Sequence, residues 1–146
     1  MDEKKNNLPI HTMLYRTHQV WDASNREKTV VGLSTGQPKV LRYLLTHPKS
    51  LQKDIANNCD IEAATASLII ARMLRAGLIV NEKVANDKRA SCITITEKGE
   101  KAFREWEQYT ASLEEEMLRG FTDEEKNNLR SYLLRAYKNL TGKDME

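Results

Sequence analysis

The hydrophobic period of this chain changes at Gly77, and that change restricts the available folds more than any other feature. Upstream, Ala66, Ile69, Ile70 and Met73 recur at steps of three, one and three, the spacing of one core-facing stripe on a helix. Downstream, Leu78, Ile79 and Val80 form a short apolar run, and Ile93 and Ile95 alternate with Thr94 and Thr96. Two strands are therefore predicted on either side of Asn81 to Ala90. Gly77 suits a helix C-terminus because glycine enters the left-handed backbone region without a Cβ clash. A helix from about Glu62 to Ala76 thus leads straight into a hairpin with a polar, flexible tip.

A shorter helix precedes this one. Ser50 is expected to cap Leu51 to Asn57, its hydroxyl taking one of the orphan N–H groups at the helix start. Ile55, Ala56 and Cys59 are its apolar positions, and Asp60 occupies the corner, where Asp tolerates a left-handed backbone better than most residues. On the later helix, the face opposite the stripe carries Ala64, Thr65, Ser67, Leu68 and Arg72. The hairpin tip carries Lys83, Asp87, Lys88 and Arg89. Arginine suits the narrow minor groove with its concentrated negative potential. Asp87 lowers the local positive charge, so it is expected to brace the tip or orient Arg89. A helix, a corner, a second helix and a basic wing form an arrangement suited to duplex DNA.

Charge follows the same division. The net formal charge is only +2, yet residues 37–96 hold nine basic and five acidic side chains, and residues 97–146 hold nine basic and twelve acidic. The basic excess falls on the segment expected to meet phosphate.

Outside this segment the chain reads as helix. Ile10, Met13, Leu14, Thr17, Val20 and Trp21 make one stripe of an N-terminal helix from about Pro9 to Lys28. After Thr96 a long helix carries Phe103, Trp106, Tyr109 or Thr110, Leu113 and Met117 on one face. Thr122 and Glu125 then form a capping box ahead of Leu129, Leu133, Leu134, Tyr137 and Leu140. These stripes exceed what one small winged domain covers, and a twofold partner is the economical way to bury them. The expected fold is mostly α with a small β-wing: residues 1–32 as an N-terminal dimerisation helix, 33–96 as a winged helix-turn-helix, and 97–146 as C-terminal dimerisation helices.

Gly32-Leu33-Ser34-Thr35-Gly36-Gln37, the Leu51 to Ile69 helix-corner-helix and Gly77-Leu78-Ile79 are matched, in order and spacing, by the MarR family of bacterial and archaeal regulators. The most specific element is Asp87-Lys88-Arg89 followed by Ile95-Thr96-Glu97-Lys98-Gly99. Over nearly its whole length the chain resembles that family. The resemblance implies a homodimer with a recognition helix in each of two major grooves and wings at the flanking minor grooves. It implies DNA contacts from Ser50, Ala64, Thr65, Ser67, Leu68, Arg72, Lys83, Asp87, Lys88 and Arg89. It also implies a repressor on an inverted-repeat operator, with half-sites one helical turn apart, roughly 10 base pairs. A small aromatic ligand bound between the dimerisation and DNA-binding parts would release the DNA.

Some residues depart from the family pattern. Glu62 stands where Ser or Thr is usual, Leu68 where a polar or basic side chain is usual, and Asn81 and Glu82 where basic residues are common. Leu68 offers only an apolar contact, for instance to a thymine methyl. For the ligand, His11, Tyr15 and His18 share one helix face, with Arg16 or Arg42 as counter-ion. The plainer reading makes the three aromatic residues interface or half-exposed positions.

Other functions are expected to be absent. An alternative keeps the winged fold but makes it a protein-interaction module without direct DNA readout, if Leu68, Ala71 and Leu74 mean that the helix is buried on both sides. Cys59 and Cys92 form no disulfide framework, which suits a reducing cytoplasm, and Cys59 reads as a small buried hydrophobe rather than a redox sensor. With three His at scattered positions no metal site is expected, and no cofactor. No stretch reaches the roughly 18 apolar residues of a membrane span. No phosphate loop, nucleophile elbow or metal-hydrolase His pair points to an enzyme.

Overall fold

A computed structural model of the chain describes residues 7–28, 32–84 and 87–145, with the side chains at 26–28 and 87–90 outside that description. It divides into two units, Met1–Leu33 and Ser34–Glu146. The described residues of the first hold one helix, α1 (Ile10–Lys28), along which Ile10, Leu14 and Val20 are exposed.

The second unit begins at α2 (Gln37–Thr46). Gly36 caps it at φ 87°, a left-handed backbone that favours glycine, and a Cβ there would meet only the tip of the Ile69 side chain. Pro38 fits the first turn, where an N–H would have no partner in any case. Val40, Leu41 and Leu44 then face the core.

Helices α3 (Gln52–Asn58) and α4 (Ala63–Arg75) pack on each other around Asp60, which holds the left-handed backbone expected of the corner at φ 53°. Ala66, Ile70 and Met73 are buried as the period requires, and they join Leu41, Leu44, Ile55, Ile79 and Phe103 in one core. Gly77 (φ 74°) ends this helix segment.

Strands β1 (Ile79–Val84) and β2 (Asp87–Ile95) form an antiparallel hairpin, in register from Ile79 opposite Ile95 to Lys83 opposite Ser91, with an irregularity at Val84. Here the expectation of a flexible tip spanning Asn81 to Ala90 is corrected. The ladder runs on through Lys83 on one side and from Asp87 on the other. Hydrophobic alternation fades where both faces meet solvent, whereas backbone pairing needs no apolar side chain.

Ser50 is also corrected. The cap position of α3 belongs to Leu51, with no side-chain hydrogen bond there, while the Ser50 hydroxyl donates back to His47 O at 2.6 Å. Ser50 is buried and exchanges both backbone hydrogen bonds with Ile93, at 2.7 and 3.1 Å. It therefore acts as a short third strand fastening the wing to α3.

Thr96 starts α5 (Glu97–Met117), accepting from Gly99 N–H at 3.1 Å and donating to Gly77 O at 2.6 Å. A Cβ at Gly99 would overlap the Leu78 carbonyl oxygen, which explains glycine in the Thr-Glu-Lys-Gly stretch. Lys98 completes the junction by donating to Ala76 O at 2.7 Å. The capping box at Thr122 and Glu125 opens α6 (Asp123–Thr141), with reciprocal bonds of 2.8 and 3.1 Å. Among the described residues no helix is long and apolar enough to cross a membrane.

Candidate nucleic-acid interface

Burial of Ala66, Ile70 and Met73 turns the opposite side of α4 outward. Ala64, Thr65, Ser67, Leu68 and Arg72 are all exposed, Leu68 at 62 %. Within one chain this face of α4 is uncovered, with Ala71 exposed beside Leu68. A hydroxyl, a methyl-bearing hydroxyl, an apolar side chain and a guanidinium together offer donors and one apolar contact, the complement of base edges and phosphates in a major groove.

Gln52 adds a feature absent from local sequence pattern. Its Nε2 donates to Ser67 Oγ at 2.7 Å, which leaves the Ser67 O–H free to donate outward. The two residues stand fifteen positions apart, so no short-range spacing announces the pair.

A groove of about 440 Å³ runs between the start of α2 and α4, lined by Gly36, Lys39, Asp60, Glu62, Thr65, Leu68 and Arg72 among others. Its cations and anions are mixed. Lys39 is held by Cys59 O at 3.0 Å, and Glu62 sits at the start of α4 without a side-chain cap bond. Glu62 favours the helix dipole there but repels an approaching phosphate.

Asp60 faces the end of the chain. Its carboxylate accepts from Tyr137 Oη at 2.5 Å and pairs with Lys143 Nζ at 2.9 Å. The Tyr137 hydrogen bond, then that of Lys143, holds the Asp60 carboxyl below its usual range. The same contacts push the Tyr137 phenol and the Lys143 ammonium up, each chiefly through Asp60.

Cys59 is buried, with its thiol toward Lys39 O at 3.7 Å, and burial pushes the thiol up. A raised, enclosed thiol is a poor nucleophile, so the packing role stands.

Of the DNA-contact residues expected from sequence, Ala64, Thr65, Ser67, Leu68 and Arg72 share the open face of α4, and Lys83 is exposed on β1. Ser50 does not belong with them, because its side chain is buried and its hydroxyl engaged. Asp87, Lys88 and Arg89 begin β2, and their side chains lie outside the described ones. For the ligand residues, Tyr15 is exposed and accepts from Gln19 at 3.0 Å, His18 pairs with Asp22 at 3.3 Å, and His11 is exposed. Arg42 is held by Glu107 at 3.6 Å and lies over the Phe103 ring at 5.2 Å, so it serves the α2–α5 contact.

Comparison with known proteins places this geometry. The MarR family model matches residues 31–90, the helix-turn-helix and most of the wing. The chain is 30 % identical over 128 residues to the uncharacterized HTH-type transcriptional regulator YwoH of Bacillus subtilis, covering 88 % of this chain and 92 % of that protein. Among solved structures it resembles the transcriptional regulator SlyA, at a TM-score of 0.77 and 25 % identity over 90 % of this chain and 92 % of that one. It also resembles the organohalide-sensing regulator RdhR-CbdbA1625 in its 2,4-dichlorophenol-bound form, at a TM-score of 0.75 and 25 % identity over 97 % and 86 %. With the wing, the capped α5 junction and the open face of α4 all in place, the chain belongs to the MarR family of DNA-binding transcriptional regulators.

Proposed function

We propose that the chain is a homodimeric repressor that reads an inverted-repeat operator with two copies of α4 and yields it to a small aromatic ligand. The observation that carries this reading is the face formed by Thr65, Ser67, Leu68 and Arg72, outward on a helix whose other side is locked into the core. Specificity is spread over Thr65, Ser67, Arg72 and DNA shape, with Leu68 giving an apolar contact. Lys83, Asp87, Lys88 and Arg89 supply the wing at the minor groove.

Pairing is supported by α6, which has no fully buried residue and exposes Tyr132, Leu133, Leu134 and Leu140. Leu133 and Leu140 share one side of the helix, and a second copy of the chain would cover them symmetrically. Residues 1–32 and 97–146 are read as the dimerisation parts and 33–96 as the reader, working in the cytoplasm beside the DNA. The dichlorophenol bound by RdhR-CbdbA1625 supports an aromatic effector, with His11, Tyr15 and His18 as its contacts. Arg42, exposed and paired loosely with Glu107 at 3.6 Å, is the proposed counter-ion for an acidic ligand.

Selection of duplexes from a random pool tests the reading. An inverted repeat bound by two chains, with affinity falling steeply as salt rises, is expected. Retention of no preferred sequence contradicts it. A screen of phenolic and aromatic acids by thermal shift should find compounds that raise the melting point of the dimer and weaken its DNA binding.

A further inference from the structure

Asp60 occupies a left-handed backbone conformation, which glycine enters most freely and Asp tolerates better than most side chains. Its φ is 53°, which Gly, Asn or Asp would satisfy. What sets the carboxylate apart is that both of its oxygens are engaged beyond the turn.

Their partners lie at the end of α6. Gly142, at φ 74°, stops the helix and turns the chain, and Lys138 Nζ meets Asp144 Oδ1 at 2.9 Å to brace the turn. Lys143 N–H reaches Thr141 Oγ1 at 3.3 Å. The Lys143 ammonium then bridges two points of the reader, Asp60 Oδ1 at 2.9 Å and Asn57 O at 2.7 Å. Asn57 lies in the last turn of α3, where carbonyls lack helical partners and a cation is favoured. Tyr137, one turn before the end of α6, donates to the other Asp60 oxygen at 2.5 Å. Both oxygens of one corner carboxylate are thus held by one terminal segment.

Only Ile61 and Glu62 separate Asp60 from α4, so fixing the corner fixes where α4 begins. Building on α4 as the DNA-reading helix, we propose that Tyr137 and Lys143 are positioning residues for operator recognition, acting through Asp60 and Asn57 to couple the end of α6 to the recognition helix.

Two nearly isosteric or strain-free variants of the full chain test this, measured on the duplex that the wild-type protein selects. Tyr137→Phe removes one hydroxyl and no charge. Asp60→Gly removes the latch, relieves the backbone and deletes a negative charge near the DNA-facing helix. Charge and strain alone predict that Asp60→Gly binds DNA as well as the wild type or better. The latch predicts the reverse: each variant weakens operator binding by roughly threefold to tenfold. The double variant is no weaker than the worse single one, because both act on one contact.

Wild-type affinity in either single variant, or additive losses in the double, overturns the proposal. Hydrogen exchange on the free protein gives a readout independent of DNA. In Tyr137→Phe the amides of Ile61 and Ala66 should exchange at least about threefold faster, and unchanged exchange also overturns the latch. If the wild type selects no duplex, the repressor reading fails, and the exchange rates decide the latch by themselves.

Discussion

Helices α4 and α6 both leave a face uncovered, and the chemistry of those faces differs. On α4, thirteen residues long, Ala66, Ile70 and Met73 are sealed in the core while Thr65, Ser67 and Arg72 look outward with Leu68. On α6, nineteen residues long, nothing is fully buried, and the open surface is rich in Leu and Tyr. A polar, cation-bearing face can be left to water until a polyanion arrives. Exposed leucines such as Leu133 and Leu140, which share one side of α6, are better suited to the second copy proposed above. Exposure by itself therefore says little about function until the side chains that are exposed are named.

Breaking the apolar face should have the largest effect. Leu133→Asp combined with Leu134→Asp should convert the proposed dimer to monomer in sedimentation velocity. Covering what each leucine still exposes is worth roughly 1 kcal/mol, and symmetry counts each one twice. Helix content should stay the same, since both side chains are already exposed within one chain. A dimer that persists unchanged would mean that α6 is not its interface.

The two sides of α4 should separate next. Met73→Ala, at a fully buried position, should cost about 2–5 kcal/mol in urea unfolding. Leu68→Ala should stay within about 0.5 kcal/mol of wild-type stability while changing sequence preference. Equal destabilisation by both would erase the distinction between core and reading face.

A smaller effect is expected at the wing. Arg89→Ala should weaken binding to all sequences and make the salt dependence shallower by about one ion, with no change in preferred sequence. Binding indistinguishable from wild type would remove the wing from the interface.

The smallest effect concerns pH. Asp60 is held below its ordinary value of about 3.9, chiefly by Tyr137 and then by Lys143. A depressed folded-state value means that the contribution is complete above the unfolded value and is lost as pH falls through the folded one. The stability difference between wild type and Asp60→Asn should therefore be flat from about pH 5 to 8 and shrink below about pH 4. A difference that varies through neutral pH would point to some other group.

Much of the fold was legible because its signals are local. The stripe of α4, the left-handed Asp60, the Gly77 stop and the Thr122–Glu125 box each depend on residues within a few positions of one another. The exposed side of α4 followed directly from the buried one. What escaped was long-range or backbone-borne. Gln52 finds Ser67, and Tyr137 finds Asp60 across 77 positions, with no periodic trace of either. Ser50 had the residue type of a cap, but its pairing with Ile93 won because a buried backbone must satisfy both its N–H and its C=O. The hairpin ran further than hydrophobic alternation foretold because its outer rungs are held by main-chain bonds between polar residues.

The mass of the protein–DNA complex in solution tests the central claim most directly, using the selected inverted repeat and the same duplex with one half-site scrambled. Two chains on the intact duplex, with a sharp loss of affinity when either half is scrambled, is the predicted result. One chain per duplex, bound equally well to both, would contradict the account.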